Sequence, residues 1–158
     1  MYTGKGIDRN EFNECFEHTE GRVKYELGAK PPLGSDSSSF DKSDCSGFTR
    51  WLFSRTFSGF TDAFPDGSAN QHAWCKLNIP NIGPGEYSDA LTTRNNSIYI
   101  CFMDQKPDTD EVTRHVWFLQ NGSTIECCGG DGVTSSEEHA RAYADRCSGC
   151  YLVRSYVE

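Results

Sequence analysis

The sequence predicts an α+β fold, with helices in its first half and a sheet in its second half. Apolar residues recur at helical spacing after Cys45. Four short segments after residue 96 are rich in β-branched and aromatic residues, which favour strands. Asn121-Gly122 separates two of these segments and is typical of a tight hairpin turn. The 158 residues fit one domain of ordinary size, so we expect a single domain over residues 1 to 158.

The first predicted element is a short amphipathic helix. Phe12, Cys15 and Phe16 recur at helical spacing over residues 8 to 20, and Gly follows at the end of this stretch. The segment from Lys30 to Ser43 is rich in Pro, Gly, Ser and Asp. This composition predicts an irregular loop, which leads directly to Cys45.

A second helix is predicted over residues 45 to 57. Asp44 is a good helix cap, and Cys45 then lies in the first turn. The apolar residues that follow at steps of three and four predict a buried face, and they are Phe48, Trp51 and Leu52.

Residues 58 to 95 are interrupted by turn-forming residues at short intervals. This pattern predicts short helical or irregular pieces around residues 71 to 74 and little regular sheet. Ser135 to His139 opens a further short helix, with a serine cap and early acidic residues. The predicted strands cover residues 97 to 102, 115 to 119, 123 to 127 and 151 to 157.

The charge and hydropathy patterns exclude several classes of partner. Acidic residues exceed basic residues by 23 to 15, and no cluster of Lys and Arg is present that would neutralise phosphates, so we expect no nucleic-acid partner. No apolar run approaches the roughly 20 residues that cross a bilayer, and the first residues lack the apolar stretch of a signal peptide. We therefore expect a protein made in the cytoplasm, which reaches any target outside it by phage lysis or injection. We also expect the chain to be a monomer.

Eight cysteines suit either a disulfide framework in an oxidising compartment or free structural thiols. Cys147-x-x-Cys150 together with Cys127-Cys128 also resembles a four-thiolate zinc site. Only one half of that set has the usual spacing, and adjacent cysteines rarely bind the same ion. We therefore favour structural cysteines and expect neither a metal nor another cofactor.

Cys45 is the candidate nucleophile. The nucleophilic form of a cysteine is the thiolate, and the first turn of a helix supplies N–H groups and a positive dipole end that favour this anion. A buried structural cysteine is the alternative, and the neighbouring Asp44 opposes ionisation.

His115 is the candidate base because it begins a predicted strand, and strand ends are where functional sites are built. His18, His72 and His139 have no comparable setting, and we expect them to be replaceable.

The hairpin register brings a third residue to His115. A two-residue turn at Asn121-Gly122 pairs Trp117 with Glu126, which makes Glu126 the diagonal neighbour of His115 on one face of the sheet. A carboxylate at this position can hydrogen-bond the imidazole and fix its tautomer. A register slip of one residue would place Cys127 beside His115 instead.

These residues resemble the NlpC-type cell-wall cysteine peptidases, which are papain-like enzymes. The resemblance extends from about residue 10 to residue 158. It rests on segments that occur in the same order as in that family. They are residues 21–28, 44–48 (Asp-Cys-Ser-Gly-Phe), 64–71, His115-Val116 and 125–133.

The resemblance implies a papain-like fold in which the helix that bears the nucleophile packs on a small antiparallel sheet. It also implies hydrolysis of amide bonds in the peptide stem of peptidoglycan, with Tyr25 lining the cleft and Asp44 and Ser46 binding the stem. The third catalytic position in that family is usually His, Asn or Gln, and in this chain it is Glu126. A related group of wall amidases uses Cys, His and Glu. A catalytic domain of this kind also resembles phage lysis enzymes and interbacterial amidase effectors. An effector would imply an immunity protein as its partner.

Several alternatives remain open at the level of sequence. The same three residues suit an N-acetylmuramoyl-L-alanine amidase, a cross-link endopeptidase, or an acyltransferase or deamidase that acts on a host protein. A non-catalytic, cysteine-rich binding module is the alternative from a different class.

Overall fold

The computed structural model describes residues 2–60, 64–79, 86–104 and 114–157. The turn-forming residues 80–85 and the polar stretch 107–111 before His115 lie outside the described residues. No helix among the described residues is long and apolar enough to cross a membrane.

The described residues form five α-helices and ten strands. The helices are α1 (Arg9–Thr19), α2 (Cys45–Thr56), α3 (Ser68–Asn78), α4 (Tyr87–Thr92) and α5 (Glu137–Ala142). The strands are β1 (Tyr2–Asp8), β2 (Lys24–Tyr25), β3 (Lys42–Ser43), β4 (Phe57–Phe60), β5 (Ile98–Met103), β6 (His115–Gln120), β7 (Ser123–Cys128), β8 (Gly132–Thr134), β9 (Cys147–Val153) and β10 (Ser155–Tyr156).

The central element is a five-stranded antiparallel sheet with the strand order β8-β7-β6-β5-β9. Helix α2 packs against β6 and β7, and α5 also packs against β7. A smaller sheet has the order β10-β1-β4, and β2 pairs with β3. The predicted α+β class, with helices largely before the sheet, is therefore confirmed.

Helix α2 begins at Cys45 because Asp44 caps it, as predicted. The Asp44 carboxylate accepts a hydrogen bond from the backbone N–H of Gly47 at 2.7 Å, which satisfies one of the first-turn donors. Phe48, Trp51 and Leu52 are fully buried in the core beneath the sheet. Burial of this face fixes the rotation of the helix and therefore the position of Cys45.

The hairpin register agrees with the prediction. Asn121 and Gly122 both have positive φ angles, 53° and 79°, as a type I′ turn requires. The residue pairs that follow this turn are Gln120 with Ser123, Leu119 with Thr124 and Phe118 with Ile125.

The edges of the fold differ from the predictions. We expected little regular sheet over residues 58 to 95, which is wrong at β4, because Phe57–Phe60 pairs with the N-terminal strand β1. The last predicted strand, 151 to 157, begins earlier at Cys147 and is divided into β9 and β10. Both differences arise from pairing between segments distant in sequence, which local propensity does not record.

Candidate active site

Cys45 and His115 line the same pocket at one end of the central sheet. Cys45 is the first residue of α2 and is partly exposed, and His115 is the first residue of β6. The pocket has a volume of about 230 Å³. Its other lining residues are Tyr25, Met103, Arg114, Cys128, Gly129 and Tyr143.

The His115 ring is held on three sides. It stacks on Trp117, with ring centroids 5.6 Å apart and planes at 17°, because residues i and i+2 of a strand share a face. Tyr143 approaches the ring at 5.3 Å in an edge geometry. His115 Nε2 lies 2.7 Å from Glu126 Oε1, which leaves Nδ1 available for Cys45.

Glu126 is fully buried, and donors surround its carboxylate. Oε1 interacts with His115 and accepts a hydrogen bond of 2.6 Å from the Tyr143 hydroxyl. Oε2 lies 3.0 Å from Nδ1 of His139. A buried carboxylate is tolerated only when it is hydrogen-bonded and paired with positive charge, and these contacts provide both.

The electrostatics of the pair favour a charged imidazolium. Burial lowers the pKa of His115, but hydrogen bonds and charge interactions with Cys45 and Glu126 outweigh it and raise this pKa to about 9. Burial likewise opposes ionisation of Glu126, but the hydrogen bond and charge of His115 lower its pKa to about 2. At neutral pH the site therefore holds a carboxylate and an imidazolium beside the Cys45 sulfur. This arrangement suits thiolate chemistry.

The two neighbouring cysteines have a different environment. Burial raises the pKa of both Cys127 and Cys128 to about 12, and the negative charge of Glu126 adds to this effect at Cys128. The Cys127 thiol donates to the backbone carbonyl of Ser43 at 3.3 Å. Both residues are therefore neutral thiols at neutral pH.

The three predicted substrate-binding residues lie in different settings. Tyr25 lines the pocket with Cys45, as the resemblance implied. Asp44 is only 5 % exposed, and its carboxylate contacts Lys30 Nζ at 2.6 Å in addition to capping Gly47. Ser46 is equally buried, and its hydroxyl accepts a hydrogen bond from Lys30 at 2.8 Å. The polar atoms of Asp44 and Ser46 thus have partners within the protein.

His139 and Tyr143 belong to the site, although the sequence did not single them out. We expected His139 to be replaceable for want of a comparable setting, whereas the structure places it against Glu126 and, through Nε2, 3.5 Å from Asp131. The spacing of four residues between His139 and Tyr143 is a sequence signal that the two side chains share one face, because residues i and i+4 lie on the same face of a helix. Tyr143 is the C-cap residue of α5.

Two groups of described residues contain potential metal ligands, and neither meets the requirements of a metal site. Ligand atoms of Glu126, Cys128 and His139 lie within 4.8 Å of one another. However, the Glu126 carboxylate is already satisfied by hydrogen bonds, and Cys128 is a neutral thiol. Among the described residues, the four cysteines of the predicted zinc set do not bring their sulfur atoms together, and Cys150 contacts Cys101.

Comparison with known proteins identifies the fold. No protein-family model and no curated protein matches the sequence. Among solved structures, the chain is similar to a lipoprotein-like protein of the NLP/P60 family from Staphylococcus aureus subsp. aureus Mu50, with a TM-score of 0.57 and 16% sequence identity. The match covers 90% of this chain and 40% of the staphylococcal chain. At this identity the likeness shows a shared fold, and it confirms the papain-like α+β architecture.

Proposed function

We propose that the chain is a cysteine hydrolase that cleaves amide bonds in the peptide stem of bacterial peptidoglycan. Cys45 is the nucleophile, His115 the base and Glu126 the residue that orients it. The observation that carries this proposal is the position of His115, which lines an open pocket together with Cys45 and lies 2.7 Å from the Glu126 carboxylate. The resemblance of the Asp-Cys-Ser-Gly-Phe segment to cell-wall peptidases supports the substrate class.

The reaction follows from these positions. The Cys45 thiolate attacks the amide carbonyl carbon, and the imidazolium of His115 then protonates the leaving nitrogen as the C–N bond breaks. A thioester remains on Cys45. Neutral His115 takes a proton from a water molecule, which attacks the thioester and releases the carboxylic acid and the thiolate. Glu126 holds the ring in position and stabilises its positive charge in the first half of the cycle.

The direct test is digestion of purified sacculi by the wild-type chain beside Cys45→Ala and Cys128→Ser. We expect soluble muropeptides from the wild type and from Cys128→Ser, and none from Cys45→Ala. Turnover by a folded Cys45→Ala variant, or its loss in a folded Cys128→Ser variant, would refute the assignment of the nucleophile.

An N-acetylmuramoyl-L-alanine amidase is the second candidate, and the observation that favours it is the carboxylate at the third position. Mass spectrometry of the released fragments separates the two candidates. Cleavage within the stem leaves L-alanine attached to the sugar and creates a new amino terminus on a later stem residue. The amidase releases a stem that begins at L-alanine and leaves a free lactyl carboxylate on the sugar. The same proposal includes the place of action, which is the cell wall after phage lysis or injection. An injected enzyme would have an immunity protein as its partner.

A further inference from the structure

Three cysteines on β5 and β9 form a thiol cluster that the hydrolase site does not use. Cys101 and Cys150 are direct partners in the antiparallel β5/β9 register, and their sulfur atoms lie 3.6 Å apart. Both residues are fully buried. Directly opposed residues in an antiparallel pair have α-carbons about 4.5 to 5.5 Å apart, which lies within the range that a disulfide spans.

A β-bulge brings the third thiol to the same place. Cys147 and Cys150 are three residues apart and would point to opposite faces of a regular strand. The register shifts between the pair Phe102 with Gly149 and the pair Met103 with Cys147, so that Ser148 is the extra residue. As a result the Cys147 side chain packs in the same buried cluster as Cys101 and Cys150. Its thiol donates a hydrogen bond to the backbone carbonyl of Gly149 at 3.3 Å.

The three thiols differ in reactivity. The hydrogen bond from Cys101 lowers the pKa of Cys147, whereas burial raises the pKa of Cys101. Cys147 is also 7% exposed, while its two partners are fully buried. A low pKa and access to solvent are the properties of the thiol that a small disulfide reaches first.

We propose that Cys101, Cys147 and Cys150 form a redox site at which a small-molecule disulfide, such as oxidised glutathione, generates a Cys101–Cys150 disulfide between β5 and β9. This inference is independent of the hydrolase activity.

The electrons balance over three exchanges. The Cys147 thiolate attacks one sulfur of oxidised glutathione, forms a mixed disulfide and releases one glutathione thiolate. Cys101 then attacks Cys147 Sγ, and its proton passes to the departing glutathione sulfur, which leaves as the second glutathione thiol. Finally Cys150 attacks Cys101 Sγ, and its proton passes to the departing sulfur of Cys147, which becomes a thiol again. Two protein thiols are oxidised, one disulfide of glutathione is reduced, and two molecules of glutathione leave.

The test is disulfide mapping of the full chain after incubation with oxidised and reduced glutathione in varied ratio. Remaining thiols are alkylated under denaturing conditions before digestion with trypsin. Cleavage after Arg94, Arg114, Arg146 and Arg154 releases Cys101 in peptide 95–114 and the other two thiols in peptide 147–154. We expect these two peptides to be the dominant cross-linked pair, with fragmentation placing the bond at Cys150.

Variants separate the roles of the three thiols. Cys101→Ser should abolish the cross-link, Cys150→Ser should stop at a Cys101–Cys147 bond, and Cys147→Ser should still form the final bond at least tenfold more slowly. Cys75→Ser is the matched control, because Cys75 is a fully buried thiol on α3 outside the cluster, and it should oxidise as the wild type does. The bridge closes a loop of 49 residues, so oxidation should raise the Tm of the wild-type chain by roughly 5 to 10 °C.

Three results would overturn the proposal. The first is a wild-type chain that stays fully reduced on these two peptides in excess oxidised glutathione. The second is a dominant cross-link between other cysteines, such as Cys127 or Cys128. The third is Cys147→Ser oxidation at the wild-type rate, which would remove Cys147 from the pathway. Mapping of the wild type decides the first two, so the proposal remains testable if a serine variant fails to fold.

Discussion

His115 and Glu126 lie on neighbouring strands and are joined by a hydrogen bond of 2.7 Å, although no main-chain pairing connects them directly. The two-residue turn at Asn121-Gly122 sets the register that makes them diagonal neighbours. The orientation of the proposed base thus depends on a turn at the far end of the hairpin.

Replacement of His115 by alanine should lower the hydrolysis rate by about a hundredfold or more, since proton transfer by a positioned base is typically worth that much. The rate on sacculi, together with the circular dichroism spectrum of the variant, measures the effect. His18→Ala is the control, because His18 lies on α1 with its ring Nδ1 3.3 Å from the Ser37 hydroxyl, outside the pocket. An inactive His18 variant beside an active His115 variant would mean that the base has been misassigned.

Glu126→Gln should reduce activity only in part, because the amide keeps the shape and one acceptor oxygen. Glu126→Ala should cost more, since His115, His139 and Tyr143 all lose their common partner. The Gln variant should also lower the pKa of His115, because a negative neighbour is removed. NMR titration of the imidazole measures this change. Equal activity of Glu126→Ala and the wild type across the pH range would exclude Glu126 as the third residue.

His139 is expected to act as a positioning residue for Glu126. His139→Ala should lower the rate by about three- to tenfold, less than His115→Ala, because one hydrogen bond to the carboxylate is lost and the others remain. His139→Asn offers an amide donor near the position of Nδ1 and should restore part of the rate. The pH profile of activity separates this role from a purely structural one. When the Glu126 carboxylate loses a donor, the pKa of His115 changes, and with it the pH above which activity falls. An unchanged rate and pH profile in His139→Ala would contradict the assignment.

The ion pair should make stability depend on pH at both ends. The pKa of His115 rises from 6.5 to about 9 on folding, so its contribution is complete below pH 6.5 and is lost as the pH rises through about 9. The pKa of Glu126 falls from 4.5 to about 2, so its contribution is complete above pH 4.5 and is lost as the pH falls through about 2. The free energy of unfolding, measured with urea from pH 3 to pH 10, should therefore be highest between about pH 4.5 and 6.5. Its decline on either side of this range should be shallower in Glu126→Gln. The same profile in both proteins would show that the pair contributes nothing to this dependence.

Asp44 tests whether a residue implied to bind substrate is structural instead. Asp44→Ala removes the cap of α2, which should lower the free energy of unfolding by about 1 to 2 kcal/mol. Asp44→Asn keeps a capping oxygen and should lose less, although its interaction with Lys30 weakens. Urea unfolding measures the stability, and the KM on sacculi measures binding. A large rise in KM for Asp44→Asn with unchanged stability would support substrate binding.

The sequence predicted those features of the site that local rules determine. Asp44 is a standard cap, so the start of α2 and the place of Cys45 followed from it. Asn121-Gly122 is a strong hairpin signal, so the contact between His115 and Glu126 followed from the register. These two rules brought together the three residues that form the candidate site.

The remaining features depend on packing between distant segments. His139 reaches Glu126 only because α5 folds back on β7, and no local pattern of charges records that contact. Strand β1 pairs with β4 about fifty residues later, and its sequence shows no strong strand propensity. The bulge at Ser148 likewise depends on its pairing with β5, so the spacing of Cys147 and Cys150 suggested a metal site where the structure forms a cluster with Cys101.

The stacking of His115 on Trp117 gives the protein an optical probe of its own chemistry. A protonated imidazole in contact with an indole quenches its fluorescence, whereas the neutral ring does so far less. The emission of Trp117 should therefore brighten as His115 loses its proton near pH 9, without an added label. The other two tryptophans, Trp51 and Trp74, contribute a background that substitution by phenylalanine removes. In such a variant the protonation of the proposed base becomes visible in a cuvette, and stopped-flow emission would follow it during turnover.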